Sequence, residues 1–188
     1  MPPYPSNRSL IFWRKSCPIS IRPNPVSGPG PHAAGNACLY GATGGEFFAA
    51  GSVGQRFAVR NSGATAVVEG ASDHCAEYMT GGTVVVIGRT GANVAAGMTG
   101  GTLFLWDPES RVRSQLSLTA PRAERPDDEQ AVELRRILAR HVALTGSPRA
   151  REILDGWEEA REEFWVLAAL APPTDQVHES EIGIPVID

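Results

Sequence analysis

Residues 79–106, MTGGTVVVIGRTGANVAAGMTGGTLFLW, carry the pattern that decides the fold. Gly82 and Gly101 lie 19 residues apart, and each opens a short apolar run. The same spacing extends backwards along the chain to Gly63 and Gly44. Repeats of this length are typical of a stack of similar coils, in which each coil buries its neighbour and none folds alone.

The runs behind these glycines are rich in Val, Ile, Phe and Thr, which suit a pleated, half-buried surface. A coil of 19 residues is too short for a βαβ unit, which needs about 30 residues. Neither an aliphatic residue at every sixth position nor a GGxGxD copy is present, which disfavours two other solenoids. The pattern therefore predicts a mainly β chain, a right-handed parallel β-helix. Its strands are expected at Glu46–Ala50, Ala64–Glu69, Thr83–Ile87 and Thr102–Trp106.

Side chains one repeat apart are expected to stack inside such a helix, and Val67, Val86 and Leu105 form one predicted ladder. Glycine tolerates a positive φ without a Cβ clash, which suits the corners between strands. The predicted corner glycines are Gly44, Gly63, Gly82, Gly101, Gly51, Gly70 and Gly88.

Other segments follow different patterns. Residues 1–35 are proline-rich and predict an irregular arm with one short strand at Ile19–Arg22, ahead of a β-helix over 36–115. A linker over 116–126 separates this from a helical hairpin over 127–170, and an extended tail is expected over 171–188.

The helical hairpin is predicted from its end signals and its apolar stripe. Asp127 or Asp128 can cap the first helix, Gly146 ends it, and Ser147 with Pro148 begins the next. An apolar stripe at helical spacing is expected either to dock on the flank of the β-helix or, where exposed, to contact a partner. Its largest members are Trp157, Phe164 and Trp165.

Composition excludes several classes of function. The net charge of −4 over 188 residues gives no basic surface for nucleic acid. Three isolated cysteines fit neither a disulfide framework nor a zinc or iron–sulfur site. No apolar stretch reaches the roughly 18 residues of a membrane span. We therefore expect a cytoplasmic protein with no membrane or nucleic-acid partner.

A search for catalytic groups finds no assembled site. Neighbouring residues on a strand point to opposite faces, so His74 and Cys75 are not expected to share a proton. The clusters near Gly44 and Gly101 lack the helix and the lysine of a phosphate loop. We predict no catalytic, cofactor-binding or metal-binding residue on this chain.

Residues 38–70 and 73–101 resemble the C-terminal glycine-patterned (GXGXG) β-helix domain of the glutamate synthase large subunit. The quoted runs are CLYGATGGEFFAAGSVGQRFAVRNSGATAVVEG and DHCAEYMTGGTVVVIGRTGANVAAGMTGG. A subunit of formylmethanofuran dehydrogenase shares this domain, but the run ELRRILARHVALTGSPRAREILDGWEEAREEFW is similar to the tail of glutamate synthase. The family domain starts several coils before Asn36, where this chain has its arm.

The resemblance implies a structural domain of an oxidoreductase in glutamate biosynthesis and nitrogen assimilation. In that family, an amidotransferase releases ammonia from glutamine, and a flavin-bearing barrel uses it to convert 2-oxoglutarate to glutamate. FMN, an iron–sulfur cluster and NADPH or ferredoxin are then expected on partner domains, with none on this chain. The β-helix is expected to assemble with those catalytic domains and to hold their arrangement.

Two other hypotheses stay open at this point. The chain can be a truncated remnant of a glutamate synthase large-subunit gene, or the related β-helix subunit of formylmethanofuran dehydrogenase. Alternatively, it can be a self-contained enzyme for an acidic metabolite, for which only His74, Cys75 and a few arginines are available. The choice between NADPH and ferredoxin and the oligomeric state are not encoded in any motif of this chain.

Overall fold

The computed structural model of the chain describes residues 19–21 and 32–168. Most of the predicted arm and the whole predicted tail over 171–188 lie outside these residues. The strands are β1 Ile19–Ile21, β2 His32–Ala34, β3 Glu46–Val53, β4 Ser62–Ala71, β5 Thr80–Val86, β6 Gly100–Trp106, β7 Ala123–Glu124 and β8 Phe164–Ala168. The helices are α1 Val112–Gln115, α2 Asp128–Thr145, α3 Pro148–Asp155 and α4 Trp157–Ala160, followed by a 3₁₀ turn at Arg161–Glu163.

The strands form one sheet in the order β1-β3-β4-β5-β6-β8-β7, and β2 also pairs with β3. From β1 and β2 through β6 every pairing is parallel, whereas β8 runs antiparallel to both β6 and β7. Each parallel strand leads through a loop to the strand stacked on it, which produces a β-solenoid of about four turns. The mainly β solenoid predicted from the glycine period is confirmed.

Alternate residues of β3 to β6 build two separate cores. Side chains that point into the solenoid form one core, and side chains that point outwards form a second core beneath the helices. The two inner ladders are Phe47, Ala66, Val84 and Leu103, and Ala49, Val68, Val86 and Leu105. The outer ladder is Phe48, Val67, Val85 and Phe104.

The predicted ladder of Val67, Val86 and Leu105 is therefore wrong in its first member. Val67 pairs with Val85, 18 residues on, while Val86 pairs with Leu105, 19 residues on. Because side chains alternate along a strand, a slip of one residue moves a side chain to the opposite face. Val67 accordingly lies under the helices, and Val86 and Leu105 lie inside the solenoid.

The slip arises at one corner of the solenoid. Ser62 pairs with Gly81, but Thr65 pairs with Thr83, so two residues on β4 face a single residue on β5. This extra residue is a bulge, which changes the register of everything that follows it on the strand. A fixed period of 19 in the sequence therefore spans coils of unequal structural length.

The two long helices begin and end where the sequence predicts. Asp127 accepts a hydrogen bond from the Gln130 backbone and the Gln130 side chain returns one, a capping box. Gly146 closes α2 in the left-handed conformation, with φ of 73°. Ser147 then caps α3 through the Ala150 N–H, and Pro148 occupies its first turn.

These helices cover the outer ladder of the sheet. Their apolar face packs in one cluster with that ladder through Ala131, Leu134, Ile137, Leu138, Ala150 and Ile153. The turn between the helices is also tied to the sheet, because Ser147 Oγ donates to Glu69 and Arg149 Nη1 donates to the Ile87 carbonyl at 3.3 Å. The predicted helical hairpin and its docking on the solenoid flank are present.

The hairpin ends earlier than its stripe predicts. Phe164 and Trp165 belong not to a helix but to β8, which pairs with β6 from Phe164↔Trp106 to Ala168↔Thr102. A short apolar run such as FWVLA is compatible with either helix or strand, so periodicity alone does not decide it. Tertiary context decides it here, because β8 covers the otherwise open edge of β6.

The sheet extends beyond the predicted limits of the β-helix on both sides. The short strand expected at Ile19–Arg22 exists as β1, and β2 precedes residue 36 as well. Both pair with β3, so this part of the arm belongs to the solenoid. At the other end β8, from within the predicted helical segment, belongs to it too.

Candidate interaction surface

Four loops of the same conformation stack on one side of the solenoid. They comprise residues 36–41, 55–60, 73–78 and 92–97, and we call them the loop stack. Within each loop every second residue has a positive φ, between 52° and 66°. These residues are Ala37, Leu39, Gly41, Arg56, Ala58, Arg60, His74, Ala76, Tyr78, Asn93, Ala95 and Gly97.

Backbone hydrogen bonds between loops hold this conformation. Ala58 donates to the Cys38 carbonyl at 2.9 Å, and Ala76 donates in the same direction to Phe57 at 2.8 Å. A left-handed residue other than glycine costs about 1–2 kcal/mol. Repeated bonds between neighbouring loops offset that cost, since each buried backbone group finds a partner. Sequence reasoning missed the loop stack, because only Gly41 and Gly97 carry a residue typical of a positive φ.

A polar segment covers the top of the loop stack. Val94 donates to the Gln115 carbonyl at 3.1 Å, and Gly97 donates to Thr119 Oγ1 at 3.1 Å. The Gln115 side chain also bonds both the hydroxyl and the carbonyl of Thr90. The uppermost loop therefore has hydrogen-bond partners in 115–119 where the lower loops have them in the next coil.

His74 and Cys75 lie in this loop stack and do not form a pair. His74 Nδ1 lies 2.6 Å from Glu77 Oε1, near the surface. Cys75 points into the inner core, where burial raises the pKa of its thiol to about 12. Burial also raises the pKa of Cys38, although its hydrogen bond with the Leu39 backbone opposes the shift. A thiol held in its protonated form is a poor nucleophile.

Asn61 supports the bulge beside the loop stack, and sequence reasoning did not find it. The side chain is fully buried, accepts from Ala64 N at 2.9 Å and donates to the Ala64 carbonyl at 3.0 Å. The residue after Ser62 also donates to it, from Gly63 N at 3.3 Å. Asn61 thus satisfies the backbone of the two residues that have no one-to-one partner on β5.

The predicted corner glycines fall into different structural positions. Gly82 and Gly101 have φ of 80° and 82°, as a left-handed corner requires. Gly63 and Gly88 instead allow close stacking, because a Cβ at either would meet a carbonyl of the preceding coil. Gly45, rather than its predicted neighbour Gly44, has the positive φ of 90° in the lowest corner.

Two further predicted corner glycines lie inside strands. Gly51 is part of β3 at a register shift between Ala49 and Ser52. Gly70 is part of β4, and a Cβ there would lie 3.2 Å from the Arg89 carbonyl. These positions need close approach of neighbouring strands and not a turn.

The three aromatic residues named as partner contacts pack on their own chain. Phe164 is fully buried and Trp157 almost so, both in the core beneath the helices. Trp165 is half-buried, donates from Nε1 to Asp107 at 3.2 Å, and lies 3.8 Å from the guanidinium of Arg125. Trp157 and Phe164 therefore present no exposed surface to a partner.

Exposed apolar side chains concentrate on the loop stack. Among the described residues, the large hydrophobic side chains most exposed to solvent are Tyr40, Tyr78, Leu118 and Val132. The first two belong to the loop stack, and Leu118 belongs to the segment that covers it. Arg56 and Arg60 stand exposed in the same loops. Tyrosine and arginine are enriched at protein interfaces, which makes this face a candidate interaction surface.

Within residues 19–21 and 32–168, no group of three or more His, Cys, Asp or Glu side chains is placed to hold a metal ion. The helices of the same residues include none that is both long and apolar enough to cross a bilayer.

Comparison with known proteins identifies the family. The model of the GXGXG motif family matches residues 19–170. Ferredoxin-dependent glutamate synthase 1 of Arabidopsis thaliana is 48% identical over 150 residues, which cover 76% of this chain and 9% of that protein. Ferredoxin-dependent glutamate synthase 2 of Synechocystis is 42% identical over 164 residues, with 84% and 10% covered.

A bacterial relative gives the same result. The glutamate synthase [NADPH] large chain of Bacillus subtilis is 44% identical over 132 residues, which cover 69% of this chain and 9% of that protein. The chain thus spans about a tenth of the length of these relatives. Because the family match begins at residue 19, it also includes β1 and β2, ahead of the predicted boundary at Asn36. The solenoid, its glycine corners and these matches together show that the chain belongs to the GXGXG motif family.

Proposed function

We propose that this chain is a non-catalytic structural domain of a glutamate synthase, which assembles with catalytic domains on other polypeptides. The observation that carries the proposal is the extent of the match to the relatives. At 42–48% identity most of this chain aligns with only 9–10% of each glutamate synthase. The rest of such a protein is then needed for the reaction as a whole.

The chemistry of the described side chains agrees with this role. His74 is engaged by Glu77, and the Cys75 thiol is buried with a raised pKa. FMN, the iron–sulfur cluster and NADPH or ferredoxin are accordingly proposed for the partner polypeptides. This chain would hold those polypeptides in place during glutamate synthesis from glutamine and 2-oxoglutarate. We propose the cytoplasm as its compartment.

Co-expression tests the proposal directly. The full chain is expressed with the amidotransferase and flavin-bearing glutamate synthase polypeptides of its own organism, called the synthase polypeptides below. We expect the chain to co-elute with them in a fixed ratio and to raise the rate of glutamate formation from glutamine and 2-oxoglutarate. A monodisperse monomer that binds neither polypeptide, with no change in that rate, contradicts the proposal.

A further inference from the structure

We propose that the loop stack is the surface by which this domain docks on the synthase polypeptides, with Tyr40, Tyr78 and Leu118 buried in the contact and Arg56 and Arg60 opposite carboxylates of the partner. The inference rests on the proposed function and adds the face and the chemistry of the partner surface to it.

The remaining sides of the solenoid are already covered by the chain itself. α2 and α3 cover the outer ladder of the sheet, and their turn is fixed to it by the bond from Ser147 to Glu69. At the upper end β8 and β7 cover the edge of β6. Among the described residues, the loop stack is the broad side of the solenoid on which neither a helix nor a further strand is laid.

Side chains of the loop stack have the composition of an interface. Tyr40 is 55% exposed, Tyr78 is 56% exposed, and Leu118 is fully exposed. The loops are stacked in successive coils about 4.8 Å apart, so these side chains form a line along the solenoid and not scattered positions. Contiguous exposed apolar surface of this kind marks contact sites on soluble proteins.

Charge indicates which partner surface fits. Arg56 and Arg60 come from one loop, and neither forms an ion pair with a carboxylate among the described residues. Arg60 N donates to the Glu77 carbonyl of the next loop, which fixes its backbone beside Tyr78. A partner surface that offers carboxylates to the two guanidinium groups and apolar groups to the tyrosines therefore complements this face.

The backbone of the loop stack is suited to docking because it is already ordered. Left-handed residues in all four loops are locked by hydrogen bonds to neighbouring coils. A surface that needs no ordering on binding loses less conformational entropy than a mobile loop does. Clusters of strained backbone are also typical of functional sites, where the surrounding structure holds them in place.

Variants of the loop stack test the inference in the full chain. Tyr78→Asn and Arg60→Asp remove the ring and reverse the charge, and Asn and Asp both tolerate the positive φ at these positions. The matched control is Val132→Asn, an exposed apolar residue on α2. We expect each loop variant to weaken binding to the synthase polypeptides at least tenfold, and the control less than twofold, with melting temperatures close to wild type.

Hydroxyl-radical footprinting of the unmodified complex gives a second readout without any substitution. Oxidation of Tyr40, Tyr78 and Leu118 is expected to fall at least threefold on binding, while that of Val132 stays constant. Binding that is insensitive to the loop variants, with unchanged oxidation at the three side chains, overturns the docking face and leaves the proposed function intact. Absence of binding by the wild-type chain overturns both.

Discussion

The strand side and the loop side of each coil are stabilised in different ways. On the strand side, apolar ladders such as Phe48, Val67, Val85 and Phe104 fill a core between the sheet and the helices. On the loop side, neighbouring coils are joined by backbone hydrogen bonds between left-handed residues. The strand side thus depends on side-chain identity, whereas the loop side leaves its exposed side chains free to serve a partner.

The largest expected effect is at a corner of the strand side. Gly82 has φ of 80°, and a Cβ there would lie 2.9 Å from Ala64 N. Gly82→Val combines a β-branched residue at positive φ with this clash, so we expect a loss of at least about 3 kcal/mol in unfolding free energy. Urea denaturation measures it.

Gly41 in the loop stack is the matched control. Its φ is 66° and its Cβ would meet no atom within 4 Å, so Gly41→Asn is expected to cost less than about 1 kcal/mol. Equal losses for the two variants would show that the corner and the loop do not differ in packing as described.

A smaller effect of pH is expected from a histidine under the helices. His141 on α2 is fully buried near Phe48, and neither ring nitrogen has a hydrogen-bond partner among the described residues. Burial lowers the pKa of His141 from 6.5 to about 4. The unfolded chain therefore binds a proton that the folded chain excludes, and unfolding free energy falls as pH drops from 6.5 to about 4, by about 3 kcal/mol at the limit.

His141→Leu isolates this contribution. Leucine fills similar space without an unsatisfied polar atom, so the variant is expected to be at least as stable as wild type at pH 7.5. Its advantage over wild type should grow steadily as denaturation is repeated at pH 5.5 and pH 4.5. Carboxylates titrate in both proteins and cancel in the difference. A difference that stays constant across these pH values contradicts the buried, neutral state of His141.

The smallest expected effect separates two exposed alanines within the loop stack. Ala37 has φ of 56°, whereas Ala92 is not among the residues with positive φ. Ala92→Gly is expected to lower unfolding free energy by about 0.5–1 kcal/mol, through the entropy of the unfolded chain. At Ala37 the same loss is offset by relief of left-handed strain, so Ala37→Gly is expected to leave stability unchanged or slightly raised. A loss as large as that of Ala92→Gly would contradict the strained backbone.

Much of the strand side could be predicted from the sequence, because its physics is periodic. The runs at Ala64–Glu69 and Thr102–Trp106 lie inside β4 and β6, and the caps at Asp127, Gly146 and Ser147 are where the sequence places them. Each of these depends on a local residue preference or on burial that recurs every coil.

What could not be predicted depends on interactions between distant parts of the chain. The bulge beside Asn61 moves Val67 to the other face, although the glycine spacing stays at 19. β8 forms because β6 offers an edge, which a helical stripe does not reveal. Residues such as Arg56 and His74 adopt positive φ only because the loops above and below bind them, so their types give no signal.

Sedimentation velocity of the full chain with the synthase polypeptides tests the central claim most directly. A structural domain of a glutamate synthase should leave its own slow boundary and move with the larger polypeptides at a fixed stoichiometry. Tyr78→Asn should return a measurable fraction to the slow boundary. A chain that keeps its own slow boundary at every concentration of the synthase polypeptides would contradict the account.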